Sequence, residues 1–173
     1  AAVATEDVRF YNHSGIDFRS LARVIFKTLL GGDSSQGGGS TITQQLAKTL
    51  YPRADVSSKI PGVSKLKMVW IKLKEWVTAV KLERSYTKDE IITMYLNQVF
   101  FGSNAYGIKS AAQTFFAKTP AALTVEEAAT LVGMVNKPTR YNPALNPDKS
   151  IVRRNFVISQ MEKAGYLTEA ERD

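Results

Sequence analysis

Apolar residues recur along most of the chain at steps of three and four, the period of a helix with one buried side. Phe18, Leu21, Ala22, Ile25 and Leu29 mark such a stripe over residues 16–30, with Ser14 or Asp17 at its start. Ile42, Leu46 and Leu50, spaced by four, predict a second helix, which Ser40 is placed to cap. Over residues 64–84 a core face runs through Leu66, Val69, Leu73, Trp76 or Val77, and Val80, while Met68, Trp70 and Ile71 lie off it. Further helices are predicted at 87–97, 106–116, 124–134 and 148–164. Thr87 and Thr124 each precede a glutamate by three residues, the capping-box spacing, and Gly165 suits a left-handed stop. Strict two-residue alternation is absent. The expected fold is mostly α, with seven helices.

The punctuation divides this pattern unevenly. Residues 31–39 form a loop rich in glycine and serine, and 51–64 are broken by Pro52 and Pro61-Gly62. The stretch from about 50 to 70 is basic, then apolar, and reads as a small lobe inserted in a single domain spanning 1–173.

Composition narrows the function classes. With 44% hydrophobic residues in 173 and mixed charge, the chain has a core's worth of apolar side chains and is not of a disordered type. It contains no cysteine, which excludes disulfides and thiolate metal sites, and no run of eighteen apolar residues. The net charge of +7 is concentrated. Between Lys48 and Arg84, nine basic residues face only Asp55, Glu75 and Glu83. That patch suits an anionic partner such as a phosphorylated substrate, anionic lipid or nucleic acid, and equally describes a solvated basic helix. The chain opens on Ala1 without a methionine and is read as an excised fragment.

Two places could carry chemistry. Glycines before a helix start let a ligand approach the backbone, and Thr41, Gln44, Gln45 and Lys48 are expected on the polar face opposite Ile42 and Leu46. A phosphate would suit hydroxyls, amides and a lysine at a helix start; a well-capped surface helix would look the same. A Walker loop is excluded, since no Gly-Lys-Ser/Thr follows the glycines. The other place is Glu6-Asp7 ahead of Phe10, His13 and Gly15. Adjacent carboxylates near an aromatic can give one of them a raised pKa, as a general base needs, and can also be an exposed acidic terminus. Glu75, one of the acids on the cationic helix, sits beside Lys72, where an ordinary ion pair is equally open.

The order of these residues resembles a known family. The run from Glu6-Asp7 through Phe10, His13 and Gly15 resembles the first signature of the peptidoglycan glycosyltransferases. These are the lysozyme-like polymerase domains of class A penicillin-binding proteins and of monofunctional cell-wall glycosyltransferases. Gly38-Gly39-Ser40-Thr41-Ile42-Thr43-Gln44-Gln45-Leu46-Ala47-Lys48 is similar to their second signature. Lys72-Leu73-Lys74-Glu75 with Ala79 and Leu82-Glu83 resembles the third. Glu90 to Tyr95-Leu96-Asn97, Phe101-Gly102 with Tyr106-Gly107, and Glu127 through Tyr141-Asn142-Pro143 to Arg153-Arg154 resemble the remainder. The chain departs from the pattern at Ile71, commonly arginine, at Thr49, and at Ala117, frequently glycine.

The resemblance implies a lysozyme-like helical fold with a membrane-facing lobe. It implies polymerisation of lipid II into β-1,4-linked glycan, with inversion at the anomeric carbon and release of undecaprenyl diphosphate. Glu6 would be the general base, supported by Asp7, Phe10, His13 and Gly15. Ser40, Gln45, Lys48, Lys67 and Lys72 would hold diphosphate or sugar. Glu75 would orient a lysine, stabilise the cationic sugar or hold a divalent cation, Mg or Mn; no organic cofactor is implied. The partners implied are lipid II, the growing glycan strand and the bacterial cytoplasmic membrane, on its outer face and through an anchoring helix outside this sequence, with a transpeptidase domain in the parent chain and no nucleic acid. The competing readings are a lysozyme-like glycan-cleaving enzyme and a non-catalytic module that binds anionic lipid.

Overall fold

A computed structural model describes residues 1–29, 39–51 and 63–172, without side chains at 24–25, 27–29 and 63–68. All of the predicted loop at 31–39 except Gly39, and most of the predicted lobe, therefore lie outside the described residues, as does the side chain of Lys67. Among the described residues the fold is helical, and its extended pairing is a single bridge between Phe100 and Tyr106. The helices are α1 (Ala2–Glu6), α2 (Phe18–Leu29), α3 (Ile42–Leu50), α4 (Val63–Ser85), α5 (Lys88–Gln98), α6 (Ile108–Phe116), α7 (Val125–Val135), α8 (Pro147–Lys163) and α9 (Glu169–Arg172). Five-residue α1 and four-residue α9 are additions to the seven that periodicity predicts, being too short to show a period. Among the described residues no helix is long and apolar enough to cross a membrane.

The chain forms two compact units. The first comprises residues 1–8 and 96–173, and its centre is α7. One side of α7 gives Ala129 and Val132 to a cluster with Ala4, Val157, Ile158 and Met161, which fixes α1 against α8. Another gives Leu131 and Met134 to a cluster with Phe101, Ala105, Ala111 and Ala112. A fully buried side chain of this size contributes about 1.5–3 kcal/mol, so α7 anchors the unit. Its start carries the expected capping box between Thr124 and Glu127, and Lys118 adds a 2.8 Å ion pair to Glu127. Gly165 closes α8 at φ +75°, with Tyr166 N–H donating to Met161 and Gly165 N–H to Glu162, as a Schellman stop requires.

The second unit, residues 9–95, is built on α3 packed against α4. Here two expectations are corrected. Thr41, not Ser40, caps α3: its hydroxyl accepts from Gln44 N–H at 3.1 Å while the Gln44 amide accepts from Thr41 N–H. Gln44 three residues on makes that box reciprocal, whereas a cap at Ser40 would face Thr43. Both members are buried, so the polar row expected along α3 reduces to Gln45 and Lys48.

The face of α4 is also corrected in part: of the predicted core positions, Trp76 and Val80 are half-buried. Val69, Leu73 and Val77 are exposed at 58%, 43% and 56%, whereas Glu75 and Ala79 are buried. Apolar residues nearly surround this helix, so periodicity alone does not choose a side. The buried side runs through Glu75, Ala79 and Glu83, four apart; Thr43 of α3 and Lys88 of α5 bond the Glu83 carboxylate, and Lys72, one turn earlier on α4, bonds that of Glu75.

Candidate active site

Three side chains from two stretches converge in the second unit. Lys72, on the half-buried flank of α4, extends its ammonium to the Glu75 carboxylate at 2.7 Å and to the Ser40 hydroxyl at 3.4 Å. Ser40 stands just before the α3 cap, its hydroxyl left to Lys72 because Thr41 does the capping. Gln45, in the same first turns of α3, accepts from the Tyr95 hydroxyl at 3.3 Å. Lys48 projects from the exposed last turn of α3. A cation held between a hydroxyl and a carboxylate, with an amide and a second lysine along the adjoining helix, is chemistry for an anionic oxygen ligand.

What holds this cluster is polar as well. Thr43 donates to Glu83 at 2.5 Å, and Lys88, at the start of α5, donates to the same carboxylate oxygen at 2.8 Å. Lys88 also donates to the His13 carbonyl at 2.6 Å and lies 4.4 Å from the centre of the buried Phe10 ring. The loop of residues 9–15, α3, α4 and α5 are thereby tied at one point. Thr43 and Glu83 stand within the signatures quoted from the sequence but, like Lys88, were given no part in the site there. The signal available was Glu83, eight residues beyond Glu75 on a cationic helix.

The first-signature residues are mainly architectural. Phe10 is fully buried and packs edge-on to Tyr11 and His13, whose Nδ1 accepts from Gly15 N–H at 3.2 Å. Gly15 has φ +92°, and a Cβ there would stand 2.9 Å from the Ala79 backbone carbon. Only glycine lets the loop lie so close to α4. Its carbonyl accepts from the Thr41 hydroxyl at 2.7 Å, which joins the loop to the cap of α3. Asp17 caps α2, accepting from Arg19 N–H, Ser20 N–H and the Ser20 hydroxyl, and pairs with Arg9 at 3.2 Å.

Glu6 and Asp7 belong to the first unit. Glu6 is the last residue of α1 and half-buried, and Asp7 is buried just after it. An exposed acidic terminus, the alternative open from sequence, is not what α1 forms once its Ala4 packs into the cluster with α8. For a metal ion, Glu75 offers a carboxylate already bonded to Lys72, and among the described residues no three histidine, aspartate or glutamate side chains gather as a cage. Mg or Mn at Glu75 would depend on oxygens from a bound diphosphate.

Comparison with known proteins identifies the family. A family model described as Transglycosylase matches residues 1–162. Penicillin-binding protein 1A/1B of Bacillus subtilis (strain 168) is 44% identical over 172 residues, 99% of this chain and 18% of its own. Penicillin-binding protein 1A of Escherichia coli (strain K12) is 39% identical over 173 residues, 100% of this chain and 19% of its own. The crystal structure of penicillin-binding protein 1A from Haemophilus influenzae aligns with 51% of this chain and 13% of its own, at 39% identity and a TM-score of 0.49. The chain spans about a fifth of the length of the curated relatives it matches. With its signatures in order from Glu6 to Arg154 and the family model matching nearly its full length, the chain belongs to the transglycosylase family, as a transglycosylase domain of the penicillin-binding-protein type.

Proposed function

We propose that this domain polymerises lipid II into β-1,4-linked glycan, inverting the anomeric carbon and releasing undecaprenyl diphosphate. The observation that carries the reading is the Lys72 ammonium held between Ser40 and Glu75. A diphosphate leaves readily once its charge is met, so the reaction needs cations at the leaving group rather than a protonating acid. Lys72 and Lys48, with Lys67, would meet that charge, and Ser40 and Gln45 would bond phosphate or sugar oxygens. A sugar hydroxyl is a weak nucleophile, and Glu6 would take its proton as attack proceeds, help worth about 10²–10⁴ in rate. Glu75 would keep Lys72 oriented and favour positive charge on the sugar ring.

The exposed apolar side of α4 supports the membrane as partner. Val69, Leu73 and Val77 line up at four-residue steps, and exposed Trp70 has the Lys74 ammonium 5.5 Å from its ring centre. Aromatic and aliphatic side chains fringed by lysine suit the headgroup boundary of a bilayer, here its outer face, where the lipid tails of both substrates are anchored.

The test is polymerisation of lipid II by the wild-type domain and by Glu6→Gln. Long glycan from the wild type and none from a folded Glu6→Gln is the expected result. Substantial polymer from that variant removes Glu6 as base. Shortening of finished peptidoglycan, with no growth from lipid II, would replace the synthetic reading with glycan cleavage.

A further inference from the structure

An open groove of roughly 450 Å³ lies wholly within residues 9–95, over the junction of the first-signature loop, the end of α4 and the start of α5. It is lined by Tyr11 and Tyr86, exposed at 54% and 45%, and by the exposed polar residues Asn12 and Ser14. Its charged lining is Glu83 and Lys88, which pair with each other at 2.8 Å. Each has a further partner, Thr43 for the carboxylate and the His13 carbonyl for the ammonium. The charges cancel locally and are already engaged, so the groove has little to draw an ion.

Two solvent-exposed phenol rings flanking a neutral polar surface suit a ligand with apolar faces and hydroxyl edges. The volume falls in the range of small-ligand clefts and admits one or two sugar rings. We propose that this groove binds a neutral oligosaccharide, with Tyr11 and Tyr86 against sugar faces and Asn12 and Ser14 meeting hydroxyl or amide groups. Such a contact would hold glycan on the protein through its uncharged rings, apart from any recognition of diphosphate.

The test is titration of the isotope-labelled domain with chitotetraose, a soluble neutral glycan, followed by backbone amide shifts. Expected are shifts confined to residues 11–14 and 83–88, with millimolar affinity. Tyr86→Ala should weaken binding about fivefold, and Tyr86→Phe, which keeps the ring face, should retain it within about twofold. Neither change disturbs a buried side chain, so circular dichroism should be unaltered. An absence of shifts up to about 10 mM, shifts elsewhere, or equal binding by the alanine variant overturns the proposal. The readout is binding alone, so it is independent of whether lipid II is polymerised.

Discussion

Lys72 and Glu75 form a lopsided pair: the carboxylate side chain is 6% exposed and the ammonium side chain 39%, across a 2.7 Å bond. The buried member is fixed by its surroundings, and the outer member is the one a ligand can reach. An incoming anion would therefore meet a cation whose position is set from behind.

Replacing Lys72 by Met takes one counter-charge away from a buried carboxylate. Stability should fall by about 1–3 kcal/mol in urea unfolding, because the partner left behind is desolvated. Adding Glu75→Gln to that variant should recover most of the loss, since the amide carries no charge to compensate. Affinity for the phosphoglycolipid moenomycin should be weakened in both variants. Recovered stability together with recovered affinity would show that the lysine has no part in binding anions.

Asp17 gives a pH dependence with a definite sign. Burial pushes its pKa up, but the Ser20 hydroxyl and N–H, the Arg9 guanidinium and the Arg19 N–H together hold it below the ordinary carboxylate value. A depressed carboxylate adds stability above its unfolded value, about pH 4, and loses it as pH falls through the folded value. Asp17→Ala should lower stability at pH 7 by about 1 kcal/mol through loss of the cap. The gap between wild type and variant should close below about pH 4 in urea titrations. A constant gap would assign the effect to packing rather than charge.

Ala117 ends α6 at φ +52° and ψ +35°, a left-handed conformation that crowds its Cβ. Its side chain is exposed, so no packing is lost on removal. Ala117→Gly should raise stability by about 1 kcal/mol, measured as a higher melting temperature with unchanged helix content. A lower melting temperature would mean that the extra freedom of the unfolded chain outweighs the relieved crowding.

Legibility of the fold depended on how local the deciding interaction was. Capping at Thr124 and the stop at Gly165 are written within six residues, and both stand where the sequence places them. The helices α5, α7 and α8 lie within one residue of their predicted spans. The face of α4 was not legible, because Glu75 and Glu83 are buried for partners that include Thr43, forty residues before Glu83. Lys88 was missed for the same reason: its link to the His13 carbonyl spans seventy-five positions and leaves no period. For the candidate site, the resemblance identified Ser40, Lys72 and Glu75, and the structure brings these three together. The roles of Lys67 and Glu6 rest on the resemblance alone.

Two adjacent hydroxyl residues divide their labour at the start of α3. Thr41 has committed its oxygen to the helix and to the Gly15 carbonyl, while the oxygen of Ser40 faces Lys72. The helix cap and the contact to Lys72 are thus encoded one position apart, and each can drift without dragging the other. A change at 41 would be felt first as a frayed helix, and one at 40 first at the Lys72 ammonium, in a domain that still folds.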